Sequence, residues 1–205
     1  RPMVRVPLLY GLGSTVSFQK AYAIVHGNEG GYANNPKDRG GETYRGIARN
    51  FHPNWEGWVI IDMVKSRFGP IPHNAFVSQI HLQYLYVDET LVPEFYAGLW
   101  NKSRAGEIKS QAVANLYFDF FVHSQQAVRI VQQTLNSMGH QLATDNRIGS
   151  KTLAAINASD ANKLHDAIKQ NRANYLNELV DQGYLHQDLL ESLQERVARF
   201  PSFTS

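Results

Sequence analysis

From Glu107 to the end of the chain, apolar residues recur at the three- and four-residue spacing of a helix face. Ile108, Ala112, Leu116 and Phe120 form one such stripe, and Val128, Val131 and Leu135 a second. Leu164 with Ile168, and Leu189, Leu193 and Val197, mark two later helices. An apolar stripe on a helix must be buried against another element, so this half of the chain is committed to packed helices. The stretch "GHQLATDNRIGSKTLAAI" interrupts it, with Asp145 and Asn146 suited to a turn and Ser150 placed to cap a short helix.

The first half adds a helix and a turn-rich segment. A helix is expected from about Thr15 to Glu29, capped by Ser14 or Thr15 and stopped by Gly30 and Gly31. Phe18, Tyr22 and Val25 share one face, and Glu29 continues that series, so the carboxylate lies on the apolar stripe. Tyr32 to Ala48 is crowded with Asn, Pro, Asp and Gly and reads as turns with a short β-hairpin ending in "TYRGIA". A loop with a short helix follows, carrying Trp55 and Trp58. "IPHNAFVSQIHLQYLYVDETLV" and "PEFYAGLW" read as helices, with Pro93 in a first helical turn. The expected fold is mainly α, with a small β-hairpin near the N-terminal third and a helical C-terminal lobe.

Composition narrows the functional classes. At 205 residues the chain suits one large domain or two modest lobes, and a net charge of +2 is too small to argue for nucleic acid. Without a single Cys, disulfides, thiolate metal sites and a Cys nucleophile are excluded. The eight His residues show no metal-binding spacing, and no phosphate-binding Gly motif or Ser-nucleophile motif occurs. No cofactor and no metal are expected, and no apolar run is long enough to span a bilayer. Residues 1–17 read as an extended arm without a clear signal-peptide cleavage site, which leaves the export route open.

The chemistry concentrates around Glu29. Burial among apolar side chains at the C-terminal end of a helix favours the protonated carboxyl, the state required of a general acid. Asp38 lies nine positions later in a polar turn where it would stay ionised, and Thr43, five positions on, could hold a water. One protonated and one ionised carboxyl flanking a cleft is the division of labour in glycosidases. Glu42 competes with Asp38 for the second role. The glycines of the hairpin would let its backbone adopt positive φ and pass close to a sugar. Set against this, Glu before Gly-Gly also reads as a plain helix end, and Asp38 as a plain turn former. Tyr32, Tyr44, Trp55, Trp58 and Trp100 suit either sugar stacking or core packing, with Tyr44 foremost because it adjoins Thr43. Asp119, inside "LYFDFFVH", must be neutral or paired, with an Arg or a helix end as partner.

The stretch "EGGYANNPKDRGGETYRGIA" resembles the signature of glycoside hydrolase family 108, bacterial and phage N-acetylmuramidases that include secretion activator proteins. The resemblance makes Glu29 the catalytic acid and implies a lysozyme-like fold. "FYAGLWNKSRAGEI" resembles the family's Tyr-Trp helix. "VANLYFDFFVHSQQAVRIVQQTLN" and "TDNRIGSKTLAAI" resemble its helical, peptidoglycan-binding C-terminal part. Where that part usually carries Asp-Gly this chain has Asp145-Asn146, and Asn tolerates the left-handed turn.

The resemblance implies an arm over 1–17, a lysozyme-like catalytic region over 18–106 and a peptidoglycan-binding-like region over 107–205. Glu29, Asp38 and Thr43 are the expected catalytic residues, and Tyr32, Glu42, Tyr44 and Trp100 the expected substrate contacts. The expected partner is the peptidoglycan glycan strand, in the periplasm or cell wall, with no nucleic acid and no stable membrane insertion. Two rivals remain. One is a lytic transglycosylase acting through Glu29 alone; the other is a non-catalytic wall-binding or secretion-accessory module.

Overall fold

The computed structural model describes residues 16–28 and 30–203. Glu29, the caps expected at Ser14 and Thr15, and most of the N-terminal arm lie outside the described residues. The chain divides into two compact units, one drawn from the residues up to Val25 and from Leu99 onward, the other His26–Gly98.

Helix α1 runs Phe18–Asn28 and begins where Ser17 supplies a cap, its hydroxyl accepting from the Lys20 N–H. In the smaller unit three short antiparallel strands follow: β1 (Tyr32–Asn34), β2 (Glu42–Tyr44) and β3 (Ile47–Ala48). The expected hairpin is therefore a three-stranded sheet. Tyr44 pairs with Tyr32 on one side and Ile47 on the other. The two residues joining β2 to β3, Arg45 and Gly46, have φ of 51° and 79°. Positive φ at both central positions is what a tight two-residue hairpin of right-handed twist requires. Helix α2 (Gly57–Phe68) buries Trp58, Ile61 and Val64.

The region after α2 departs from the expected pair of helices. A single turn, α3 (Val77–Ile80), gives way to a 3₁₀ turn (Leu82–Tyr84) and then to a wide π-helical turn (Val87–Leu91). That π turn runs directly into α4 (Val92–Ser103). Pro93 has no N–H to donate back along the helix, so the ladder ahead of it loosens into the wider turn.

The larger unit holds α5 (Gln111–His123), α6 (Ala127–Ser137), α7 (Ser150–Ala158), α8 (Ala161–Asp181) and α9 (Gln187–Ala198). Helix α8 is its spine, packing on α5, α6, α7 and α9. Helix α5 is capped by Ser110 and buried almost all round, more deeply than the one-sided stripe implied. In α9 Leu193 and Val197 take the expected face, and Leu190 rather than the half-buried Leu189 is the buried residue of the first turn. Ser150 is the first residue of α7, and Gly149 takes the cap position that had been expected of Ser150. Asn146 does adopt the left-handed turn, with φ of 60°. Its side chain accepts from the Arg129 N–H in the first turn of α6, while the buried Gln132 donates to Asp145 Oδ1 and to the Arg147 carbonyl.

Candidate active site

Successive residues of a strand point to opposite faces, so Glu42 and Tyr44 share one side of the sheet and Thr43 takes the other. Thr43 pairs with Ala33 and Ala48, and this second face carries three small, half-buried side chains. The first face carries the large groups. Tyr32 and Tyr44 are cross-strand partners on it, and the Tyr32 hydroxyl donates to Glu42 Oε2 at 3.1 Å.

Glu42 is enclosed by cations. Lys65 Nζ lies 2.7 Å from Oε2, and Arg49 Nη1 lies 3.0 Å from Oε1. Arg49 continues to Asp62 on α2 with two short contacts of 2.7 and 2.6 Å. Burial would push the Glu42 carboxyl up, but hydrogen bonds from Lys65 and Arg49 outweigh it and hold the carboxyl below its usual range. Asp62, bonded chiefly to Arg49, is held down to about 2. For Tyr32, burial and the Glu42 carboxylate together push the phenol up. A carboxylate so neutralised is a poor base, and no proton is at hand for it to donate.

Asp38 sits differently. Its Oδ1 accepts from the Gly40 N–H at 2.8 Å, its backbone closes a turn with Asn35 and Gly41, and it forms no ion pair among the described residues. Asn50 straps this loop: its N–H donates to the Gly40 carbonyl and its side chain to the Arg39 carbonyl. Of the neighbouring glycines, Gly41 uses a positive φ of 68°. Gly31 has another reason to be glycine. A Cβ there would stand 2.3 Å from the Ala75 carbonyl oxygen, because β1 docks on the 74–75 backbone through Tyr32 N–H to Ala75 O and Asn74 N–H to Tyr32 O. There the missing side chain makes room for the protein's own 74–75 backbone.

The expected sugar contacts fall in distinct places. Tyr44 is fully buried; its hydroxyl donates to Asp88 Oδ1 at 2.5 Å and accepts from the Val77 N–H. Burial, reinforced by the Asp88 hydrogen bond, pushes this phenol far up. Asp88 also takes the Ser78 hydroxyl, and Tyr96 donates to the Arg45 carbonyl, so the β2–β3 turn is pinned from two directions. Trp58 is buried, and the half-buried Trp55 stands edge-on to it at 5.4 Å. Trp100 belongs to the larger unit, buried against Phe18 and Phe118. Sequence reasoning missed Arg49, Asp62, Lys65 and Asp88. Asp62 and Lys65 at helical i, i+3 spacing were a usable signal, whereas Asp88, 44 residues from Tyr44, left none. Among the described residues, no group of three His, Asp or Glu is arranged to hold a metal ion.

A small three-stranded sheet with a polar turn, set in a mainly helical chain, is the architecture expected of a lysozyme-like fold. The comparisons agree. Residues 22–124 match the family Glycosyl hydrolase 108, and residues 126–197 match a family described as Predicted Peptidoglycan domain. The chain belongs to glycosyl hydrolase family 108, and with its second region it is a peptidoglycan hydrolase. Among solved structures it is similar to SagA of Brucella abortus, with 24% identity and a TM-score of 0.58 over 89% of this chain and 94% of that one. At that identity the likeness speaks for the fold. Comparison with curated proteins gives no match.

Proposed function

We propose that the chain is an N-acetylmuramidase that cleaves the β-1,4 bond between N-acetylmuramic acid and N-acetylglucosamine. Glu29 protonates the leaving oxygen, Asp38 activates the attacking water or stabilises the oxocarbenium-like transition state, and Thr43 orients that water. The catalytic region spans 18–106, and the helical region 107–205 holds the wall polymer, so the enzyme works in the periplasm or cell wall. The carrying observation is the contrast between the two hairpin carboxylates. Glu42 is consumed by Lys65 and Arg49, whereas Asp38 keeps a carboxylate outside any described ion pair. Thr43 lies on the small-residue face, opposite Glu42, and this is the side on which the proposal seats the glycan. On this reading Tyr32, Glu42 and Tyr44 are frame rather than substrate contacts.

The test is mass spectrometry of peptidoglycan digested by the wild type, Glu29→Gln and Asp38→Asn. Products with reducing-end muramic acid, lost in Glu29→Gln and strongly reduced in Asp38→Asn, support the proposal. Anhydro-sugar ends would replace it with a lytic transglycosylase. Binding without products from the wild type would leave a wall-binding module.

A further inference from the structure

Phe51 is 55% exposed. Single apolar side chains are common on protein surfaces, so exposure by itself assigns nothing. Its surroundings do. A Cβ added at Gly40 would stand 2.7 Å from the Ala48 Cβ, 3.2 Å from Asp38 Oδ1 and 3.6 Å from Phe51 Cε2. The Asp38 carboxylate, Ala48 and the edge of the Phe51 ring therefore meet around one point. Ala48 is the cross-strand partner of Thr43 and shares its face of the sheet. The ring thus borders the small-residue face on the side where Asp38 stands.

The ring is also held in place by its backbone. The Phe51 N–H donates to the Ala48 carbonyl at 3.2 Å. On one side Asn50 is tied to Gly40 and Arg39; on the other the His52 carbonyl accepts from the indole N–H of the buried Trp58 at 2.9 Å. An aromatic on so fixed a backbone loses little conformational freedom when a ligand settles on it.

The other rings near the hairpin are committed elsewhere. Tyr32, Tyr44 and Trp58 are buried, and Trp55 packs against Tyr44, Trp58 and Phe95. Phe51 has no such ring neighbour among the described residues. Its exposed face is apolar and flat, which matches the C–H face of a pyranose ring.

We infer that Phe51 is a sugar-stacking residue: its ring packs on the pyranose unit that lies beside Asp38 on the small-residue side of the sheet. This assignment rests on the muramidase reading above and names one substrate contact of that same site. Phe51 carries no proton and stabilises no charge, so its contribution is to binding.

The test compares Phe51→Ala and Phe51→Tyr with the wild type, measuring kcat and KM on soluble peptidoglycan fragments beside thermal melting of each chain. The alanine variant melts with the wild type, because the ring it removes is largely in solvent. Its KM rises about tenfold with kcat within about twofold, the signature of lost uniform binding. Tyrosine keeps the stacking face and holds KM within about twofold of the wild type. An alanine variant with unchanged KM, one whose loss lies in kcat, one that melts well below the wild type, or a tyrosine variant as impaired as alanine each overturns the assignment. A wild type that cleaves nothing would fell the muramidase reading itself, and this assignment with it. A wild type that cleaves beside an alanine variant of equal KM would fell the assignment alone.

Discussion

Glu42 sits one residue from Thr43, yet its side chain faces the other way. Its side chain is 13% exposed and its carboxylate is bonded to Lys65, Arg49 and Tyr32, so its contribution is to stability. Glu42→Gln should lower folding stability by about 1–2 kcal/mol, from lost charge-assisted hydrogen bonds tempered by solvent access. The pH dependence has a definite sign. The folded carboxyl titrates below its unfolded value of 4.5, so the stabilisation is full above that pH and is lost as pH falls through the lower, folded value. Melting curves should show the wild type and Glu42→Gln converging below pH 4.5; a gap that persists or widens on acidification would contradict this. Such a role was hidden in the sequence. "GGETY" places Glu42 and Thr43 side by side, and the opposite faces emerge only once strand register is known, as do the cations that claim the carboxylate, Lys65 of α2 and Arg49 just after β3.

At the scale of elements, the helices were legible and their exact faces less so. The stripe Val128, Val131, Leu135 and the pair Leu164, Ile168 are all buried, because widely spaced apolar residues admit one helical register. Leu189 and Leu190 are adjacent leucines, and only packing beside Leu176 selects the second. The π turn before Pro93 had no periodic signal at all. The glycines around α1 differ in their surroundings. Gly27 lies in the helix, and a Cβ there meets nothing within 4 Å. Gly27→Ala should therefore stabilise the chain by about 0.5–1 kcal/mol through the helix preference of alanine. Gly31→Ala drives its methyl into the Ala75 carbonyl, forces β1 off the 74–75 segment, and should cost about 1–3 kcal/mol. Chemical denaturation of the two variants checks both signs; equal midpoints would show that the close approach at Gly31 relaxes without cost.

At the scale of the whole molecule, the buried cluster around Asp119 decides how the chain can be divided. The glycosyl hydrolase match ends at residue 124 and includes Asp119, whereas Arg172 and Arg196 lie in the peptidoglycan-domain match, 126–197. The sequence made the need legible, an acid inside an aromatic run that had to be paired, but not the partners, which lie 53 and 77 residues downstream on other helices. Coulombic attraction from His123, Arg172 and Arg196 overcomes the burial that would raise the Asp119 carboxyl and holds it below its usual range, so it is an ion in the folded chain. Removing both arginines would strand that carboxylate, and breaking a buried pair costs about 3–5 kcal/mol, comparable to the whole stability of a small domain. Cutting at 124 also strips α5 of its packing on α6 and α8. A fragment of residues 1–124, which keeps every proposed catalytic residue, should therefore show no cooperative thermal transition by circular dichroism and no cleavage of peptidoglycan. The division at 106/107 that we propose keeps Asp119 with both arginines. A 1–124 fragment that melts cooperatively and cleaves would show that the hydrolase region folds without the helices that follow it.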